Sequence, residues 1–200
     1  MKSLLKFAGV LLVVLISVTA TAQTKGAVPK ASNTPEMQAK IDSMRVVLKT
    51  MAAGEATLSK NLQTFDTLDY TVFSNQEWVR LHESHSPDIV VNWPDGHHTN
   101  GIEKHIEDLK AMFVYAPDTR IKQHPIRFGG KNGEWTCVTG VFEGTFTKPM
   151  PTGDGKFIQP TGKAFKMPMC TVGHWKNGVM IEESLFWDNA TYMRQIGITQ

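Results

Sequence analysis

The hydrophobic pattern of this 200-residue chain shifts its period toward two near Arg120, and that shift limits the folds open to it. Before it, apolar residues return every three or four positions: Met37, Ile41, Met44, Leu48 and Met51, then Ile102, Ile106, Leu109 and Phe113. Each set falls on one face of a helix. From Arg120 to Trp187 the period moves toward two, in TRIKQHPIRF, GEWTCVTGVFEGTFT, KAFKMPMCTVGHW and GVMIEESLFWD, as in strands with one buried face. Helices followed by a strand meander make an α+β chain, not an alternating βαβ one. A strongly curved antiparallel sheet packed on the helices leaves a central, cone-shaped cavity.

The first residues stand apart from that domain. Lys2 and Lys6 precede an apolar run from Phe7 to Val18, and Ala20-Thr21-Ala22 supplies a small-x-small cleavage signal. Residues 1–22 therefore read as a secretory peptide, with export to the periplasm or medium. A membrane anchor is the alternative, but about 12 apolar residues fall short of the ~20 that span a bilayer. After cleavage no stable membrane insertion is expected. The formal net charge is +2, and losing Lys2 and Lys6 brings it to zero. With no Lys/Arg run left to hold phosphates, nucleic acid is excluded as a partner.

Residues 23–34 (QTKGAVPKASNT) read as a flexible tether, and Thr34 as the N-cap of an additional helix over 35–54 that stops at Ala52-Ala53-Gly54. A further domain follows over 55–200, with helices expected over about 55–66 and 75–84 and from Gly101 to Pro117. PDIVVN reads as a strand, Asn177-Gly178 as a hairpin turn, and ATYMRQIG as a closing helix. Cys137 and Cys170 lie symmetrically about the turn-rich PMPTGDGKF. A symmetric hairpin would set them opposite each other, either as a disulfide, which an exported compartment permits, or as two small core residues.

HSPDIVVNWPDG, then Gly101 opening a helix that ends in Ala116-Pro117-Asp118, resembles the first half of the SnoaL-like polyketide (ester) cyclases. GVFEGTFT, the PTGK of 160–163, the GHW…NG turn and EESLFWDNATYMRQIG resemble the second half. The likeness covers about 55–198 and implies the NTF2-like cone fold. It also implies ring closure by an intramolecular aldol reaction on a polyketide ester, without metal or cofactor. Asp188 then takes the place of a carboxylate acid/base at the end of the last strand, and His174 that of a histidine on the strand before. The chain departs from the cyclases at Phe186, where they carry a second polar residue.

Taken on chemistry alone, Asp188 is open to two readings. A carboxylate among aromatics has a raised pKa and can take a proton from beside a carbonyl, with His174 assisting. Alternatively it caps the final helix, which would lower its pKa. Trp93, Phe142 and Phe186 are expected to contact a small-molecule ligand. His82, His85, Asp88, His97 and His98 form a local polar group in which His85 or His98 is placed to touch substrate. No HExxH or comparable spacing makes that group a metal site, so no metal is expected. GxSxG and dinucleotide fingerprints are absent. Three functions stay open: a cofactor-free acid/base enzyme of cyclase or isomerase type, a binding module for an apolar or aromatic molecule, and a homodimer built on the Met37–Met51 stripe.

Overall fold

Residues 34–198 are described by a computed structural model, and the expected leader and nearly all of the tether lie outside the described residues. The chain divides into units of 1–39 and 40–200. Of the first, the described part is a helical turn in which Met37 N donates to Thr34 Oγ1 at 3.2 Å, the cap expected there. Among the described residues, no helix is long and apolar enough to cross a membrane.

Helix α1 spans Pro35–Thr67 without interruption, so the expected stop at Gly54 and restart at 55 are not there. Gly54 serves packing instead. It is buried, and a Cβ on it would stand 2.9 Å from Asn132 Cα in a neighbouring turn. Met44, Val46, Val47, Leu48 and Met51 are exposed, so that apolar stripe does not line the core. The core contact comes later on α1, through Asn61 and Phe65, with Asn61 Nδ2 donating to Gly133 O at 2.8 Å. The helix then widens into a π segment over Leu68–Phe73, whose i−5 bonding shows in Ser74 N donating to Asp69 O at 3.3 Å. Such widened turns recur at functional sites because they re-aim one side chain. A 3₁₀ segment over Trp78–Glu83 stands where a helix was expected over 75–84.

The strands are β1 (His85–Asn92), β2 (His98–Asn100), β3 (Arg120–Ile121), β4 (Ile126–Gly130), β5 (Trp135–Thr145), β6 (Met150–Pro151), β7 (Phe157–Ile158), β8 (Ala164–Lys176) and β9 (Val179–Phe186). Helix α2 (Ile102–Tyr115) follows β2, and α3 (Asn189–Gln195) follows β9. The main sheet runs β2-β1-β9-β8-β5-β3, with β4 also on β5, while β6 and β7 form a separate ribbon. The sheet is mixed and not antiparallel throughout, because β1 lies parallel to β9. That pairing is non-local, and alternation within a strand carries no information on strand direction.

Alternation fixes the faces. Val138, Phe142, Phe165, Met167, Met169 and Trp175 point inward against Phe65, Leu68, Val72 and Phe73. Gly173 keeps the inner face open at a bulge: a Cβ there would lie 2.7 Å from Met180 Sδ and 2.9 Å from Trp175 Nε1. Asn177 (φ 53°) and Gly178 (φ 84°) make the expected left-handed hairpin turn. The cysteines miss their expected register by two residues, since Cys170 faces Thr139 and Cys137 faces Val172. They are diagonal neighbours with free, half-buried thiols, Sγ atoms 3.5 Å apart.

Candidate active site

The inner face of the sheet, with α2 and the π segment, lines a cavity with about 540 Å³ of empty space, open solvent at its mouth included. Most of that is narrow, because a water's centre can move through only about 50 Å³ of it. At about 10–15 Å³ for each water, that is room for a few waters or a slender guest. Leu109, Ile121, Phe142, Met169 and Leu185 supply apolar wall; Trp93, Met112 and Trp187, only partly buried, mark where it meets solvent. Four titratable residues face this space, Asp69, His85, His105 and Glu183, together with the Thr171 hydroxyl.

Each arrives from a different element. Glu183 shares strand parity with Leu185 and Trp187, so β9 turns it inward while Glu182 and Ser184 turn out. His85 opens β1, His105 lies on the buried side of α2 with Leu109, and the π turn supplies Asp69. Glu183 Oε2 stands 3.3 Å from His105 Nε2 and 3.6 Å from His85 Nε2. Neither contact meets hydrogen-bond geometry, and Glu183 Oε2 and His85 Nε2 are buried without a hydrogen-bond partner. They are charge contacts. Burial pushes the Glu183 carboxyl up, but the two imidazoles outweigh it and hold it well below the usual carboxylate range.

Asp69 is tuned the other way. Burial raises its pKa, the charge of Glu183 adds to the rise, and a 2.7 Å contact from His124 Nε2 offsets it only in part. The other His124 nitrogen meets Asp66 Oδ1 at 2.9 Å, and Arg127 pairs with Asp66 from outside. Burial pulls His124 down, yet its bonds to Asp69 and Asp66 outweigh that and leave it raised.

The residues singled out in sequence divide by face. Trp93 and Phe142 stand in the cavity wall, and His85 is buried at its polar end. His98 is exposed on β2, His82 is exposed, and His97 pairs with Asp95 on the surface. His174 is corrected to the outer face of β8, stacked on Trp135 with ring centroids 4.2 Å apart and 3.8 Å from Glu182. Phe186 also points outward, 53 % exposed. Asp188 shares that parity and caps α3 in solvent, accepting from Ala190 N at 2.9 Å and from Thr191 Oγ at 2.5 Å. Those donors, led by Thr191, lower its pKa, the opposite of a base tuned by burial. Sequence reasoning missed Asp69, His105, His124 and the role of Glu183. One signal was present: His105 falls on the Ile102–Ile106–Leu109 face, where a polar residue needs a reason.

A bent sheet wrapped on helices, with charged groups at the end of an apolar chamber, defines the NTF2-like cone. The family model for SnoaL-like polyketide cyclase matches residues 64–196, and the chain belongs to that family. Solved structures agree on the fold. A candidate SnoaL-like polyketide cyclase from Jannaschia sp. CCS1 is 19% identical, with a TM-score of 0.61 over 71% of this chain and 94% of that one. A candidate polyketide cyclase from Xanthomonas campestris pv. campestris is 13% identical, with a TM-score of 0.61 over 70% and 99%. IdmH, a candidate polyketide cyclase from Streptomyces antibioticus, is 22% identical, with a TM-score of 0.55 over 68% and 98%. No curated protein sequence matches the chain.

Proposed function

We propose that this chain is an acid/base enzyme of cyclase or isomerase type that moves a proton beside the carbonyl of a small molecule held in the cavity. One observation carries the proposal: two buried carboxylates face one chamber with pKa values driven in opposite directions. Such divergence separates the group that exchanges a proton from the group that stays charged. Asp69, raised toward working pH and backed by His124, takes and returns the proton. Glu183 stays ionised and holds His85 and His105, whose side of the chamber receives the substrate oxygen and the charge that develops on it. Family membership supports the reaction type, and the narrow chamber favours a slender carbonyl compound over a broad polycyclic one. The leader motif supports work outside the cytoplasm.

Exchange of the α-protons of ethyl acetoacetate in D₂O, followed by proton NMR, tests this. The wild-type protein should accelerate exchange and Asp69→Asn should not, while His174→Asn should match wild type. Ethyl acetoacetate bound in the cavity with no acceleration of exchange would instead support the binding-module reading, which the largely apolar wall favours.

A further inference from the structure

His85, His105 and Glu183 come from three separate elements, yet their ligating atoms lie within 4.8 Å of one another, fully enclosed. We propose that these three residues bind a divalent transition metal ion of the zinc class, leaving one coordination position open to the cavity.

The geometry fits an ion better than it fits a hydrogen-bonded cluster. A carboxylate between two imidazole N–H groups would draw both into short, aligned bonds, but here neither the 3.3 nor the 3.6 Å contact is a hydrogen bond, and Glu183 Oε2 and His85 Nε2 are unpartnered. Leaving such atoms unpaired in a buried place is costly. Zinc bonds of about 2.0–2.2 Å in a tetrahedron hold ligand atoms about 3.3–3.6 Å apart. Both carboxylate–imidazole distances already match, and the ligand atoms of the two imidazoles lie within 4.8 Å of each other. Two histidines and a glutamate are also a donor set used by catalytic zinc, with three protein ligands and one vacancy.

The surroundings of His85 point the same way. Its Nδ1 lies 2.9 Å from Ser84 Oγ and 3.3 Å from the Leu81 carbonyl. Donation of the Nδ1 proton to Ser84 Oγ, whose own hydroxyl donates to the Leu81 carbonyl at 3.1 Å, leaves the Nε2 lone pair on the Glu183 side, and outer partners of this kind orient metal-binding imidazoles. The set differs from the His82, His85, Asp88, His97 and His98 group gathered by sequence proximity; only His85 is common to both. The ion's position beside Asp69's chamber would let it polarise a substrate carbonyl. That catalytic consequence rests on the proton-transfer reading; the binding site does not.

The test uses untagged, chelator-treated full-length protein. Cobalt(II) titration should give visible d–d bands saturating at one ion per chain, and zinc should displace them and raise the melting temperature. Glu183→Gln and His105→Asn should weaken zinc binding by more than about a hundredfold, and Ser84→Ala, which removes only an outer partner, by about tenfold. His82→Asn and His174→Asn should leave it unchanged. If Glu183→Gln does not fold, Ser84→Ala and the two surface-histidine variants still decide the matter. Absence of cobalt bands in folded wild type, or affinity unchanged in Ser84→Ala but lost in His174→Asn, overturns the site. Metal binding without α-proton exchange would sink the proton-transfer reading alone, and exchange without metal binding would sink this one alone.

Discussion

Glu182 and Glu183 are adjacent in sequence and turned to opposite faces of β9, so changing each to glutamine separates burial from charge. Both variants lose the same unit of negative charge. The Glu182 side chain is 41 % exposed and takes a 3.1 Å bond from Asn92, so Glu182→Gln should stay within about 0.5 kcal/mol of wild type. Glu183 is 6 % exposed and faces two imidazoles. Removing one partner from a buried ionic cluster costs about 3–5 kcal/mol, and the low end, about 3 kcal/mol, applies because neither imidazole contact is a hydrogen bond. At about 2–4 °C per kcal/mol for a domain of this size, Glu183→Gln should melt about 6–12 °C lower. The pH dependence has a definite sign. The folded pKa of Glu183 lies below its ordinary value of 4.5, so its contribution is present above that pH and lost as pH falls through the folded pKa. The gap between the two variants should therefore narrow on acidification and hold at neutrality. Thermal melts by circular dichroism, in chelator, at pH 7 and below pH 4.5 check this. Equal melting temperatures for the two variants at pH 7 would refute the placement of Glu183 as a buried ion.

Three further outcomes follow from the geometry. His124 is raised above 6.5 and Asp69 above 3.8, so stability from this pair is present at low pH and lost as pH rises through the folded values; His124→Asn should flatten the fall in urea midpoint between pH 6 and 9, and an unchanged slope would contradict the pairing. Asp188→Asn keeps an oxygen for Ala190 N and sits outside the cavity, so α-proton exchange should continue at the wild-type rate; a loss of about tenfold or more would return Asp188 to the site. Burial and the Cys137 thiol push Cys170 up to about 11, so oxidation of the thiol pair should be slow at neutral pH and faster above it. Mass spectrometry should then show a cross-strand disulfide, stabilising by up to about 3–4 kcal/mol; thiols that persist at high pH with oxidant would refute the diagonal placement.

Much of the architecture was legible because hydrophobic period is a local property. The two helical stripes and the strand run follow from it, the Asn177-Gly178 turn follows from the left-handed preference of that pair, and the closing motif carried the family. The site was not legible, for three physical reasons. Strand parity puts Asp188 with Phe186, and His174 with Cys170 and Val172, but it does not say which face is inside. The inner set proved to be Glu183 and Leu185 on β9 with Trp187 just after it, and Met169 and Thr171 on β8. Asp69 owes its aim to a π turn, which no residue pattern announces. The third reason is distance along the chain: His85, His105 and Glu183 meet only through the parallel β1–β9 pairing and the packing of α2. Gly54 failed as a stop signal because its missing side chain answers a tertiary contact and not a local one.

The opposed tuning of two carboxylates in one chamber is best measured by carbon-13 NMR titration of the Asp69 and Glu183 carboxyl resonances in the folded protein. Asp69 should titrate clearly above 3.8, and Glu183 should show no inflection down to pH values well under 4.5. Both carboxyls titrating together near 4 would contradict the assignment of proton carrier and fixed charge.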